Sequence, residues 1–241
     1  MSLLGKTTII TGGGIRLGRA MAMAIAKDGG DVVIHYNRSR HPAEELQADI
    51  QSMGRNAHLI QVDLGDPKEA AQLIPQARKI APLYALINSA AIFAALDFRS
   101  TSLEDWERHM MVNLTAPFLL SQAFASNIEP EKQGRIVNIL DWRALRPGAD
   151  HFPYTISKAA LAALTSSLAV ALAPDITVNG LAFGAILPPS DGAETEKIIE
   201  NVPAGRWANL DEVGEALMFL LNGPSYITGE IIYLDGGRHL I

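Results

Sequence analysis

In the run Tyr154-Thr155-Ile156-Ser157-Lys158 a phenol and an ammonium stand four residues apart, on one face of a helix turn. A phenol ordinarily ionises near pH ~10, and a cation a few ångströms away favours the ionised form, bringing it closer to a range useful for proton transfer. The pair reads as a general acid with its own activator. Thirteen residues before Tyr154 stands Asp141, a carboxylate that when ionised only accepts hydrogen bonds.

A second chemistry lies near the start of the chain. Thr11-Gly12-Gly13-Gly14-Ile15-Arg16-Leu17-Gly18-Arg19-Ala20 follows a β-branched run and leads into a helical pattern. Glycines there permit a tight turn and close approach of a phosphate to backbone N–H groups at a helix N-terminus. About 20 residues further on, where an NAD-type site carries an acid for the ribose hydroxyls, the sequence reads His35-Tyr36-Asn37-Arg38-Ser39 and has none. Arg38 is shaped for bidentate phosphate contact, with Tyr36, Asn37 and Ser39 as polar neighbours, so NADPH, with its 2′-phosphate, fits better than NADH. The other reading of Arg38 is a solvated arginine after a strand. Arg16, Arg19 and Arg38 together read as a basic patch for a dinucleotide. Asp63-Leu64 is placed to reach the adenine, although an aspartate there serves equally as a helix cap.

These side chains need a scaffold that brings strand ends together. Thr7–Ile10, Asp31–His35, Ala57–Val62, Tyr84–Ile87, Arg135–Ile139, Ile176–Asn179 and Ile231–Leu234 are short β-branched runs. Helical patterns lie between them at about 17–28, 42–53, 67–80, 103–127, 154–173 and 211–222. Such alternation predicts an α/β, doubly wound parallel sheet of seven strands with helices on both faces. The segment 187–208, with Pro188-Pro189, Asp191-Gly192 and Pro203, has no clear pattern and reads as a lid over the crevice. The 241 residues are 48% hydrophobic and 19% charged, a balance that excludes a disordered tail and gives room for a large core. Twenty Lys and Arg against 26 Asp and Glu leave a charge of −6, which argues against nucleic acid as partner. With no cysteine there is neither disulfide nor thiolate chemistry, and no metal site is expected. The N-terminus leaves no room for a targeting segment, and Ala159 to Ala173 is short of the ~20 apolar residues of a membrane span, so a cytoplasmic protein without a membrane partner is expected.

The chain resembles the short-chain dehydrogenases/reductases along essentially its whole length. The Thr11-Gly12 turn, Asp63-Leu64, Asn88-Ser89-Ala90-Ala91, Asn113, Tyr154 with Lys158, and Asp235-Gly236-Gly237 fall in that family's order and spacing. The resemblance implies one Rossmann-type NADP(H)-binding domain over 1–241, and a homotetramer. It implies Tyr154 as proton donor or acceptor, Lys158 on the nicotinamide ribose lowering the tyrosine pKa, and Asn113 holding a proton-relay water. Gly12, Arg16, Leu17, Gly18, Asn88, Ala90, Gly184 and Ile186 would join Tyr36–Ser39, Asp63 and Leu64 around the cofactor.

Two departures narrow the expectation. Arg16 stands where most members have a glycine, and Asp141 where most have a substrate-orienting serine; both resemble the pteridine reductases and their dihydromonapterin-reducing relatives. Phe93, five after Asn88, matches the aromatic that stacks a pterin against the nicotinamide, and Arg16 could meet an acceptor on the pterin. At the serine's position an ionised carboxylate would repel the alkoxide of a ketone reduction and suits instead a substrate that presents N–H donors and whose reduced bond is C=N, with the new proton going to nitrogen and Asp141 beside Tyr154 helping to relay it. The implied reaction is NADPH-dependent reduction of a C=N bond in a pterin-like small molecule. The alternatives are a reductase or dehydrogenase of a ketone, sugar or acyl thioester, and a non-catalytic NADPH-binding sensor, against which Asn113, Tyr154 and Lys158 argue. Phe183 stands where the family usually has proline. Trp142 and Arg143, directly after Asp141, either narrow or recharge the pocket, or Trp142 packs in the core.

Overall fold

The computed structural model describes residues 3–128, 133–188 and 195–241. The β-branched runs become strands with helices packed on both faces of the sheet; the inner strands are buried nearly throughout, while the first and last strands of the sheet, at its edges, are only partly buried. In chain order they are β1 (Thr7–Ile10), β2 (Asp31–Tyr36), β3 (Ala57–Gln61), β4 (Leu83–Asn88), β5 (Gly134–Asp141), β6 (Ile176–Phe183) and β7 (Ile231–Leu234). They form one seven-stranded sheet in the order β3-β2-β1-β4-β5-β6-β7, every pair parallel. The order reverses between β1 and β4, and a crevice opens there at the carboxyl ends of the strands.

The helices are α1 (Arg16–Lys27), α2 (Arg40–Ser52), α3 (Pro67–Ile80), α4 (Leu103–Met110), α5 (Ala116–Ala125), α6 (Phe152–Leu172), α7 (Thr195–Glu200) and α8 (Leu210–Asn222). Met21 and Ile25 of α1, Leu46 and Ile50 of α2 and Val213 and Leu217 of α8 build the core on one face of the sheet. Leu73 and Ile74 of α3, Leu120 and Phe124 of α5 and Ala169 of α6 build it on the other. By length and composition α6 alone among the described residues could span a membrane. It packs on β5 and β6 and carries Tyr154 and Lys158, both buried.

Three expected boundaries move. β5 runs on to Asp141 and β6 to Phe183, paired residue for residue, where the sequence patterns stop at Ile139 and Asn179. Gly180 reads as a strand end, yet it lies inside β6 because Leu140 packs against it; a Cβ there would come within 2.7 Å of Leu140 Cδ1. The helix expected over 103–127 is broken by a π turn at Met111–Thr115, with Asn113 at its middle. Within the expected lid at 187–208, residues 189–194 lie outside the described residues, and α7 occupies part of the remainder.

Candidate active site

The turn after β1 is fixed from below. Thr11 Oγ1 accepts from the N–H groups of Ser89 (2.9 Å) and Ala90 (3.0 Å), joining the ends of β1 and β4. Gly12 N donates to His35 Nδ1 at 3.1 Å, while His35 Nε2 bonds the Val62 carbonyl at 3.0 Å. This arrangement requires a neutral imidazole. Burial supplies one, lowering the His35 pKa to about 4 against the opposing pull of the Val62 carbonyl and Asp63. Sequence reasoning places His35 in a strand and misses its role under the turn; a histidine ending a strand behind a glycine turn was the available signal. A Cβ on Gly18 would overlap the Gly12 carbonyl, so helix α1 can approach only with glycine there. Arg16, at the family's usual glycine position, has φ +49°, a left-handed conformation that costs a non-glycine residue about 1 kcal/mol. Its guanidinium donates to the Pro188 carbonyl at 3.0 Å.

A cavity of about 1090 Å³ runs from this turn to the ends of β5 and β6. Gly12, Arg16, Leu17 and Gly18 line its first part, with Tyr36, Asn37, Arg38 and Ser39 beside them and Asp63, Leu64 and Ala90 opposite. Phe93, Asp141, Tyr154, Lys158, Gly184 and Ile186 line the far end. The Arg38 guanidinium is exposed and has no hydrogen-bond or ion-pair partner among the described residues. Asp63 accepts from Asn37 Nδ2 (3.0 Å) and Gly65 N (2.8 Å), so it organises the loop; the helix cap is Asp66, which accepts from Lys68 and Glu69 N–H groups. Glu104, Glu107 and Arg108 of α4 also reach the cavity, and nothing in the sequence pattern pointed there. Gly184 is required where Asp235 crosses behind it, since a Cβ would lie 2.6 Å from Asp235 Cβ.

Three expected site residues lie elsewhere. Arg19 turns away from the cavity into an ion pair with Asp49 (2.6 Å), so the basic patch is Arg16 and Arg38. Asn88 is buried under the wall, donating to Asn138 at 2.8 Å. The Asn113 side chain is also behind the wall: Oδ1 accepts from Ile92 N (2.9 Å), and Nδ2 donates to Ile92 O and Ser157 Oγ (3.0 Å each). With both amide donors spent on protein, this side chain pins the loop after β4.

At the far end Tyr154 Oη donates to Asp141 Oδ2 at 3.2 Å. Lys158 Nζ donates to the Ile139 carbonyl at 2.7 Å and sits 5.8 Å from the Tyr154 ring centre. The resemblance implies that Lys158 lowers the phenol pKa, but Lys158 is not among the groups that shift it here. Burial raises the Tyr154 pKa well above the ordinary value, the Asp141 charge and hydrogen bond raise it further, and only Arg143 opposes. The carboxylate touches the hydroxyl while the ammonium is aimed at a carbonyl, so the phenol stays protonated and able to donate. Burial lowers the Lys158 pKa to about 8, partly offset by Asp141.

Phe93 is half exposed; its ring stacks on His151 at 3.7 Å and meets Tyr154 edge-on at 4.6 Å. His151 caps α6 with φ +49° and bonds the Ala94 carbonyl through Nδ1, backing Phe93 from behind. Trp142 neither narrows the cavity nor enters the core: it lies off the wall, with the guanidinium groups of Arg143 (4.8 Å) and Arg238 (4.4 Å) against its ring. A buried neutral donor beside an acceptor, at the end of a dinucleotide-sized crevice, is equipped to deliver one proton to a small molecule.

Residues 14–239 match the family model described as Enoyl-(Acyl carrier protein) reductase. The 3-oxoacyl-(acyl-carrier-protein) reductase of Synechocystis sp. is 30% identical over 241 residues, covering 98% of each chain. A crystal structure of FolM Alternative dihydrofolate reductase 1 from Brucella canis, complexed with NADP, superposes with a TM-score of 0.93 at 34% identity, over 100% of this chain and 97% of that one. A short chain dehydrogenase from Burkholderia cenocepacia in complex with NADP gives 0.92 at 34%, over 99% of both chains. The seven-stranded parallel fold agrees with these likenesses, and the chain belongs to the short-chain dehydrogenase/reductase family of oxidoreductases.

Proposed function

We propose that this protein is an NADPH-dependent reductase of a C=N bond in a pterin-like heterocycle. The cofactor is NADP(H), as in the four NADP-bound neighbours. The cavity fits it: a glycine turn at a helix N-terminus for the pyrophosphate, and at the mouth an unpaired Arg38 guanidinium for a 2′-phosphate. When bound, NADPH supplies a hydride to carbon. The observation that carries the substrate reading is the Tyr154–Asp141 contact. A serine in place of Asp141 would offer a hydroxyl to a ketone oxygen; the carboxylate instead offers an acceptor to substrate N–H groups. A substrate N–H that occupies Asp141 releases the Tyr154 hydroxyl to protonate the ring nitrogen. Phe93, backed by His151, presents an aromatic face beside that point. The FolM neighbours, named as dihydrofolate reductases, support this reading.

The second reading, reduction of a ketone or acyl thioester, is favoured by the curated 3-oxoacyl reductase relatives. NADPH oxidation with dihydrobiopterin or dihydromonapterin beside a panel of ketones and 3-oxoacyl thioesters separates the two. Pterin turnover is expected; turnover of the ketones alone would overturn the reading. Tyr154→Phe should lower kcat about 10²- to 10⁴-fold, and full activity would remove Tyr154 from the role of donor. The same reading includes a homotetramer, with exposed Phe118 and Val170 at subunit contacts; sedimentation as a monomer would refute it.

A further inference from the structure

With Asp141 as the substrate acceptor, the reading on which this inference rests, its two oxygens must be told apart. Asp141 ends β5 and is met by Tyr154 and Lys158 from α6, by Arg143 from the single 3₁₀ turn Trp142–Ala144, and at longer range by Arg238 from the C-terminal turn. The contacts are divided. Oδ2 takes the Tyr154 hydroxyl at 3.2 Å. Oδ1 accepts the Arg143 backbone N–H at 2.9 Å and lies 3.6 Å from Arg143 Nη1, an ion pair rather than a hydrogen bond.

Arg143 is itself held on three sides. Its Nη2 donates to Asp150 Oδ2 at 2.9 Å, its guanidinium lies 4.8 Å over the Trp142 ring, and its side chain is only 15% exposed. Burial pushes the Asp150 pKa up, and the hydrogen bond and charge of Arg143, with smaller help from the charge of His151 and a backbone hydrogen bond, bring it below the ordinary value. The Trp142 ring also carries the Arg238 guanidinium, 4.4 Å from its centre. An exposed ion pair contributes little, but one held in this way fixes a direction. Neither Arg143 nor Trp142 reaches the cavity wall, so Arg143 does not touch a substrate there.

We propose that Arg143 is a positioning residue that clamps Oδ1 of Asp141, so that Oδ2 alone is presented to Tyr154 and to a substrate N–H. Without the guanidinium the carboxylate keeps only a backbone N–H on Oδ1 and can rotate, which separates acceptor from proton donor.

The test uses the full chain with NADP⁺ and four variants, Arg143→Met, Arg143→Lys, Asp141→Asn and the Arg143→Met/Asp141→Asn double. Calorimetry in the presence of NADP⁺, which has no hydride to give, reads the affinity for 2,4-diaminopteridine, a ring with N–H donors, and kinetics with NADPH read kcat/KM for dihydrobiopterin. Arg143→Met should lower both about tenfold while NADPH affinity stays within about twofold, and Arg143→Lys should restore most of the loss. In the Asp141→Asn background the same change should cost less than about twofold, because Arg143 acts through Asp141. Equal losses in both backgrounds, or no loss in either, would overturn the clamp. Should the methionine variant not fold, the lysine variant carries the test alone: affinity within about threefold of the parent supports the clamp, and a loss as deep as that of Asp141→Asn overturns it. A crystal structure of Arg143→Met with NADP⁺ needs no substrate: Asp141 Oδ2 turned away from Tyr154 supports the clamp, and an unmoved carboxylate refutes it. If the parent enzyme ignores pterins while Asp141 still turns in that structure, the substrate reading falls and the clamp stands.

Discussion

At the scale of single residues, the site is a set of groups whose neighbours decide their state. Tyr154 is kept protonated by burial and by the carboxylate beside it. Arg38 has the opposite character: it is exposed and has no partner among the described residues, which leaves its charge at the cavity mouth for an anion. Arg38→Ala should therefore raise KM for NADPH about tenfold and leave KM for NADH nearly unchanged, since a bidentate charge-assisted contact to the 2′-phosphate is what is lost. The ratio of kcat/KM for the two cofactors checks this. Equal loss with both would show that Arg38 serves the fold or the cavity generally.

At the scale of elements, the glycine turn and the Tyr154 helix were legible in the sequence because their contacts are local: strand, turn and helix follow one another within about a dozen residues. What could not be read depends on distant partners. The π turn exists where Asn113 bonds Ile92, 21 residues earlier, and Trp142 is placed by Arg238 from the far end of the chain. Arg19 looked like Arg16 in sequence, but α1 turns it toward Asp49 of α2. Arg16 itself was legible as a departure from glycine, while its left-handed φ was not. That φ leads to an expectation. Arg16→Gly should relieve strain and stabilise the chain by about 1 kcal/mol, less what glycine's freedom adds to the unfolded state, while weakening NADPH binding. Denaturant midpoints and cofactor titration measure the two effects, and a variant that binds NADPH as tightly as the parent would remove Arg16 from the cofactor site.

In the whole molecule, the carboxyl ends of six of the seven parallel strands converge on one crevice, so the glycine turn and Tyr154 meet there from segments more than a hundred residues apart. Its integrity is tied to pH through His35. In the folded protein His35 stays neutral down to about pH 4, whereas in the unfolded chain it takes a proton near pH ~6.5. Between these values the unfolded state binds more protons, so His35 makes stability rise with pH, and acidification through the window removes up to about 3 kcal/mol. Urea midpoints across that range should fall more steeply for the parent than for His35→Asn. Parallel slopes would mean that His35 does not carry the effect.

On the proposed function Asp141 selects a nitrogen heterocycle over a ketone, and kcat/KM for dihydrobiopterin and for a 3-oxoacyl thioester, in the parent and in Asp141→Ser, puts that selection to the test. The parent should prefer the pterin, and the serine variant should lose about a hundredfold on the pterin while gaining on the thioester, because a hydroxyl donor replaces an acceptor. A parent that prefers the thioester, or a serine variant that improves on the pterin, would contradict it.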